Sequence, residues 1–208
     1  MDISNRINEM QYSAIRKLNP FAQKAKESGK KVYHLNIGAP DVHTPVEFFD
    51  AIKNFNQETL SYAPSLGLDE LRVEMSDYYD NKFSKDEIII TAGASEALLF
   101  TLLTCCNPGD EIVTADPYYS NYNSYLKQAD VSLSTFPTKR EEAFSFPSKE
   151  VIEKSINSKT KALLICNPAN PTGAVLSKDE IETIIQIAEE KDLYIIADEI
   201  YRDFIYDG

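Results

Sequence analysis

The chain has 208 residues, of which 43% are hydrophobic and 26% are charged, and its formal net charge is -12. This composition is typical of a folded globular protein with one sizeable core. Its acidic surface disfavours nucleic acid and anionic lipid as partners, because both are negatively charged themselves. No apolar run reaches the length of a membrane span, and the first residues lack the apolar core of a secretion signal. We therefore predict a cytoplasmic protein that binds neither nucleic acid nor membranes.

The cysteines and histidines indicate neither a disulfide framework nor a metal site. The chain has three cysteines, which cannot all be paired. Cys105 and Cys106 end a helical pattern and Cys166 ends a strand, so we expect buried thiols in a reducing compartment. The two histidines, His34 and His43, have no neighbouring cysteine, and no metal site is predicted.

The first third of the chain reads as helices with one short strand. An amphipathic helical spacing runs from Arg6 to about Lys26 and is broken near Pro20. A strand in KVYHL follows and ends in a turn at IGAPD. Two further helices are predicted over residues 45–56 and 67–81, where apolar side chains recur at intervals of three to four.

From residue 86 onward, strands and helices alternate. The predicted strands are EIIIT, EIVTA, VSLSTF, KALLIC and LYIIA. The helices between them open at Ala94, cross residues 119–128, follow the first serine of SKEVIEKSI, and begin at a capping box formed by Ser177 and Glu180. Several strands are apolar on both faces, so both faces of their sheet must be covered. This pattern predicts an α/β fold with a three-layer, doubly wound, mostly parallel sheet. The series stops without a closing helix, which is typical of a fragment.

Four polar segments directly follow predicted strands, namely TAGASEA, ADPYYSNY, NPANPTG and ADEIYRDF. In a doubly wound sheet they meet at one edge, where ligands bind. The backbone N–H groups at Gly93, Ala94 and Ser95 open a helix and could cradle a phosphate, or they could form an ordinary helix start. Asp198 lies at the mouth of an apolar strand. It either meets a cationic or donor partner or caps the next helix.

Together, these segments favour a flat, phosphorylated, pyridine-like ligand. Tyr119 offers an aromatic face for a planar ring, although a half-buried core tyrosine is the alternative. With the phosphate at Ser95, the ring nitrogen would meet Asp198. The phenolic oxygen would then meet the Asn170 amide and the Tyr201 hydroxyl. This arrangement would explain why NPANPTG places a polar side chain directly after an apolar strand.

At these positions the sequence resembles the class I and II pyridoxal-phosphate aminotransferases, the fold-type I family typified by aspartate aminotransferase. NPANPTG is similar to the family's N-P-x-N-P-T-G, and DEIY, TAGASEAL and IGAPD match further family segments. The resemblance implies pyridoxal 5′-phosphate as cofactor, and amino acids and 2-oxo acids as substrates. The cofactor-binding residues that it implies are Gly93, Ala94, Ser95, Tyr119, Asn170, Asp198 and Tyr201, of which Asp198 and Tyr201 support catalysis.

The resemblance also assigns residues outside these loops. Gly38 of IGAPD would bind the substrate carboxylate, together with Asn170. Tyr62 of SYAPSLGLDELR would reach the cofactor phosphate across the interface of a homodimer. Residues 1–45 would form an N-terminal arm and a small-domain segment. Residues 46–208 would form a cofactor-binding large domain that is incomplete at its C-terminus.

One part of the family pattern falls outside these residues. The family's Schiff-base lysine lies some tens of residues beyond the Asp-x-x-Tyr motif, and the 208 residues end before that position. Ser84-Lys85 resembles that lysine motif only superficially, because it precedes the phosphate turn. We therefore expect transamination in a longer parent protein and an inactive chain by itself.

Two alternatives remain at this point. The first is a pyridoxal-phosphate-dependent carbon–sulfur lyase of the same superfamily, whose cofactor contacts would be the same. The second is a catalytically silent domain that binds the cofactor or a partner. IGAPD and NPANPTG favour the aminotransferase.

Overall fold

The computed structural model describes residues 2–10, 16–36, 38 and 42–206. The chain divides into two compact units. One, here called the sheet unit, comprises Met1–Ser13 and Thr91–Gly208, and the other, the helical unit, comprises Ala14–Ile90. The predicted domain boundary after residue 45 stays a prediction.

The described residues contain eight α-helices and four β-strands. The helices are α1 (Asn5–Asn8), α2 (Asn19–Glu27), α3 (Val46–Lys53), α4 (Asp69–Tyr78), α5 (Ala94–Cys105), α6 (Tyr122–Gln128), α7 (Lys149–Glu153) and α8 (Lys178–Lys191). The strands are β1 (Glu111–Asp116), β2 (Ser132–Pro137), β3 (Thr160–Cys166) and β4 (Tyr194–Asp198). Within the described parts of the chain, no helix is long and apolar enough to cross a bilayer.

The sheet unit is built in three layers. Its strands are all parallel and lie in the order β2-β1-β3-β4. Alternate residues of a strand face opposite sides of the sheet. In β1, Ile112 packs with Leu102 of α5, whereas Val113 packs with Ile187 of α8. Helices α5 and α6 thus cover one face, and α7 and α8 cover the other. The predicted doubly wound α/β fold is confirmed.

The strand order also locates the ligand-binding edge. From β1 the chain passes outward to β2 on one side, and it then returns to form β3 and β4 on the other side. This reversal creates a crevice beyond the carboxyl ends of β1 and β3, which is where doubly wound sheets bind their ligands. The Ser177–Glu180 capping box is present and starts α8 at the predicted place.

Two predicted strands are wrong. Residues 31–35 have no regular secondary structure. In EIIIT, Glu87 ends a short 3-10 helix, Lys85–Glu87, and residues 88–91 have no regular secondary structure. Its Ile89 is 59% exposed. A strand requires a neighbour to pair with. Within the described residues this segment makes one backbone bond to another segment, from Ile90 N–H to Leu66 O, at 2.9 Å.

Smaller corrections concern the N-terminal helix and the thiols. The spacing predicted over 6–26 is divided between α1 and α2, with residues 11–15 outside the described parts. Pro20 lies in the first turn of α2, a position that suits proline because an N–H there has no helical partner. The cysteines are free, as expected, but each is half-buried rather than buried.

A buried arginine holds the helical unit together after α4. Arg72 is only 4% exposed. Its guanidinium donates to the backbone oxygens of Lys85 and Ile88, at 2.8 and 3.1 Å, and it pairs with Asp69 and Asp86. These partners compensate the cost of burying the charge.

Replacement of Gly67 by alanine is expected to destabilise the helical unit by about 3 kcal/mol. Gly67 has a φ of +100°, and a Cβ there would lie 2.5 Å from Ile90 Cβ. Gly29 is a matched control, since it has a φ of +80° but no heavy atom within 4 Å of an added Cβ. Gly29→Ala should therefore cost only the backbone strain, about 1 kcal/mol. Urea unfolding measures the change in the free energy of unfolding in both variants. Equal losses of stability would show that the contact with Ile90 does not contribute to the destabilisation.

Candidate functional site

A cavity of about 230 Å³ opens in the sheet unit beyond the carboxyl ends of its strands. Its wall combines the loops after β1, β3 and β4 with the first turn of α5 and one side of α6. Six of the predicted residues line it, namely Ala94, Ser95, Tyr119, Asn170, Asp198 and Tyr201. Segments that are up to about a hundred residues apart in sequence therefore meet at one edge of the sheet.

The start of α5 lines the cavity through Ala94 and Ser95. Gly93 precedes the helix with a φ of +84°, and no described side chain caps this end. The first N–H groups of a helix have no intrahelical partner, and the helix dipole favours a negative charge there. The Ser95 hydroxyl lies 2.7 Å from the Tyr125 hydroxyl. Two hydroxyls and the free helix end are thus available to phosphate oxygens.

The carboxylate of Asp198 lies at the end of β4 and is held on both sides. The Tyr122 hydroxyl donates to Oδ2 at 2.7 Å, and the Ile200 N–H donates to Oδ1 at 3.3 Å. The sequence predicted a cationic or donor partner for this half-buried group, and Tyr122 is such a donor. Burial raises the pKa of Tyr122 far above its usual value, and the hydrogen bond to Asp198 adds to this. The phenol therefore stays protonated and continues to donate.

The two asparagines of NPANPTG have different tasks. The Asn167 side chain accepts a hydrogen bond from Leu176 N–H at 3.0 Å, so it stabilises the loop itself. Asn170 instead lines the cavity, and its Nδ2 lies 3.4 Å from the Tyr201 hydroxyl. The Asn167-Pro168 and Asn170-Pro171 peptide bonds are both cis. An amide and a phenol therefore lie side by side in the cavity wall.

Tyr119 supplies the aromatic part of the wall. Its ring is half-buried and meets the ring of Tyr122 edge to face, with 5.5 Å between the centroids. The Asn121 amide donates to the Tyr119 hydroxyl at 2.8 Å. Burial raises the pKa of Tyr119, so the ring stays neutral. An uncharged aromatic ring that is fixed by its edge-to-face contact with Tyr122 is suited to stack on a planar ligand.

The sequence prediction missed two tyrosines of this cavity, Tyr122 and Tyr125. Both belong to α6, and with Tyr119 they recur every three residues in YYSNYNSY. This spacing places successive side chains on one side of a helical turn. The three-residue spacing of the tyrosines was therefore visible in the sequence, but the same spacing is equally typical of side chains that face the core.

Two predicted site residues, Gly38 and Tyr62, belong to the helical unit. Gly38 is exposed, and Tyr62 is fully exposed. Their roles toward substrate and phosphate stay predictions. Lys85, which only superficially matches the lysine motif, pairs with Asp69 at 2.8 Å, and Ser84 forms a capping box with Glu87.

The fold and the site define a doubly wound α/β protein whose cavity can hold a flat, anionic ring compound. Comparison with known proteins identifies the family to which the chain belongs. The chain belongs to the class I and II aminotransferases, whose family model matches residues 30–208. Members of this family use pyridoxal 5′-phosphate as cofactor. The donor set fits that compound, with a helix start for its phosphate, an aromatic wall, a carboxylate for its ring nitrogen, and an amide and a phenol for its ring oxygen.

Similar proteins cover the whole chain but extend well beyond it. The aspartate/prephenate aminotransferase of Thermus thermophilus is 33% identical over 99% of this chain and 54% of its own length. The aspartate aminotransferase of Pyrococcus horikoshii is 35% identical over 99% of this chain and 52% of its own length. The solved alanine aminotransferase of Pyrococcus furiosus has a TM-score of 0.93 at 33% identity and covers 100% of this chain and 54% of its own. The chain thus spans about half the length of its relatives.

Proposed function

We propose that the protein containing these residues transfers an amino group between an amino acid and a 2-oxo acid, with pyridoxal 5′-phosphate as cofactor. The observation that carries the proposal is the meeting of Asp198, Asn170, Tyr201 and Ser95 at one cavity. Membership of the aminotransferase family supports it. Each of these side chains has an ordinary structural explanation when taken alone. Their arrangement around one ring-sized cavity favours a common ligand.

Each residue has a distinct task toward the cofactor. When bound, the cofactor supplies the electron sink that amino-group transfer requires. Asp198 accepts a hydrogen bond from the ring nitrogen and keeps a proton on that atom, because an ionised carboxylate favours a nearby cation. Asn170 and Tyr201 donate to the ring oxygen. Tyr119 lies against the ring and fixes its plane.

The phosphate and the acid-base step complete the proposal. The Ser95 hydroxyl and the N–H groups at the start of α5 hold the phosphate and so fix the cofactor's distance from Asp198. Removal of the substrate α-proton requires a base. By the family resemblance this base is a lysine at a position beyond residue 208, so we propose that residues 1–208 by themselves do not catalyse the transfer. Loss of such a base costs about a hundred- to ten-thousand-fold in rate.

Loading the protein from its complete gene with the cofactor tests this function. Addition of an amino acid alone should release one 2-oxo acid per site and then stop, and a different 2-oxo acid should restart the reaction. A carbon–sulfur lyase would instead turn over continuously and release ammonia. A silent domain would bind the cofactor without converting it. Either of these two results would overturn the proposal. Residues 1–208 alone serve as the control and should show no conversion.

We also propose a homodimer in which Tyr62 contributes to the site of the partner subunit. Its full exposure in the helical unit supports this, because a phenol without local packing is available to a second chain. Mixing an Asp198→Asn variant with a Tyr62→Phe variant should then give hybrids with one intact site. Their activity should exceed the mean of the two parents after subunit exchange. An active monomer, or no gain on mixing, would contradict the shared site.

A further inference from the structure

Tyr122 is buried in the sheet unit but reaches the functional cavity. It is 1% exposed and packs in the core cluster with Leu126, Ala162 and Leu164. Its hydroxyl nevertheless lies 2.7 Å from Oδ2 of Asp198, which is 76 residues further along the chain. One residue thus connects the packed core with the carboxylate that faces the ligand.

The direction of this hydrogen bond follows from chemistry. An ionised carboxylate can only accept, so the phenol must donate. The nearby Cys166 thiol donates to Pro168 O at 3.3 Å, and burial raises the pKa of Cys166, so this neighbour is neutral too. The hydroxyl of Tyr122 therefore faces one anion, Asp198, and a neutral thiol. Charge-assisted hydrogen bonds of this kind are the strong ones.

The contacts of Asp198 show what the phenol contributes. The bond from Ile200 N–H to Oδ1 measures 3.3 Å and is long, whereas the bond from Tyr122 to Oδ2 is short. The short bond sets the orientation of the carboxylate. Each carboxylate oxygen accepts more than one hydrogen bond, so both retain capacity for a ligand in the cavity. Without the phenol, the half-buried carboxylate could turn toward water.

We propose that Tyr122 is the positioning residue for Asp198, and that its hydroxyl holds the carboxylate in the orientation that meets the protonated ring nitrogen of the cofactor. This inference rests on the proposed function. Tyr122 also contacts Tyr119 edge to face. The same residue therefore supports both the aromatic wall and the carboxylate. Tyr122 does not itself touch the ligand in this assignment.

The test compares two ligands that differ in one atom. Pyridoxal 5′-phosphate and its 1-deaza analogue, in which C–H replaces the ring nitrogen, are titrated into the protein from its complete gene by equilibrium dialysis. The wild-type protein should prefer the natural cofactor. In Tyr122→Phe this preference should fall about tenfold, the usual effect of losing a hydrogen bond to a charged group. Affinity for the analogue should stay unchanged, because the analogue makes no bond to Asp198.

Tyr118→Phe is the matched control. It removes the same atom from a tyrosine that stacks on Tyr122, with 6.5 Å between the centroids, but its hydroxyl bonds to Asn123 instead. The preference for the natural cofactor should be unaffected in this variant. A loss in Tyr118→Phe as large as that in Tyr122→Phe would overturn the inference.

A double variant separates positioning from packing. In an Asp198→Ala background, Tyr122→Phe should leave the affinity for each ligand unchanged, because the carboxylate that the hydroxyl serves is already absent. A further loss of affinity for both ligands would show that Tyr122 only packs, and it would overturn the inference. Removal of both partners leaves no unpaired group, so the double variant should fold even if the single variant does not. A double variant that folds when Tyr122→Phe does not would show that the Tyr122 hydroxyl is needed as the hydrogen-bond partner of the Asp198 carboxylate.

Three results have distinct meanings. Equal losses for both ligands in Tyr122→Phe would show that Tyr122 only packs, and an unchanged preference would show that its hydroxyl has no role; both overturn this inference alone. A wild-type protein that binds both ligands equally would show that Asp198 does not meet the ring nitrogen. That result overturns the proposed function as well.

Discussion

Asp198→Asn is expected to lower the turnover number of the cofactor-loaded protein by about a hundredfold or more and to leave its fold intact. The amide oxygen of asparagine can still accept the bond from Tyr122, which in the native protein measures 2.7 Å. It carries no charge, however, so it no longer favours a proton on the ring nitrogen of the cofactor. Steady-state kinetics at saturating cofactor, with circular dichroism to check the fold, measures the effect.

Asp116 provides the matched control for this substitution. It ends β1 as Asp198 ends β4, but it is exposed and lies outside the cavity wall. Asp116→Asn should turn over at close to the wild-type rate. Normal turnover in Asp198→Asn with cofactor bound would remove Asp198 from the proposed mechanism. A matching loss in Asp116→Asn would point instead to a general effect of charge at this edge of the sheet.

Leu102→Ala is expected to destabilise the sheet unit by about 3 kcal/mol. Leu102 is 0% exposed and lies in the core cluster between α5 and the sheet. Truncation of its side chain removes buried apolar surface and leaves a cavity that the close-packed neighbours fill only in part. Chemical denaturation, followed by far-ultraviolet circular dichroism, measures the change in the free energy of unfolding.

The next residue of α5 is the control. Leu103 is 58% exposed, so the same truncation there should change the free energy of unfolding by no more than about 0.5 kcal/mol. The pair tests which side of α5 faces the sheet, and hence how the first turn of α5 is directed toward the cavity. Equal losses at both positions would contradict this orientation.

The amino-acid sequence by itself determined the four strands of the sheet and the helices that cover it. The apolar runs in EIVTA and KALLIC, and the capping box at Ser177, are local signals. Local signals suffice where a buried strand or a helix start is recognised by its own residues. The alternation of strands and helices then determined the edge of the sheet where the polar loops meet, because parallel strands all end on the same side. Six of the predicted site residues lie at that edge for this reason.

Pairing between distant segments was decided only by the tertiary structure. EIIIT is as apolar as the true strands, but a strand exists only when a neighbour accepts its backbone hydrogen bonds. The apolar content of a segment indicates how strongly that segment favours burial. It does not determine which other segment lies beside it. Within the described residues, EIIIT therefore stays unpaired although its side chains favour a buried strand.

The same limit applies to the site. Of the two asparagines of NPANPTG, only Asn170 was predicted from the sequence to meet the ligand. The folded loop directs Asn170 to the cavity and Asn167 to Leu176 N–H, a contact that the sequence did not predict. The bond between Tyr122 and Asp198 joins residues 76 positions apart. Local periodicity sets which side of α6 is apolar, but the packing of α6 against the sheet sets which carboxylate its hydroxyl meets. Contacts of this kind depend on the relative positions of whole elements, so they follow from tertiary packing rather than from any local pattern of residues.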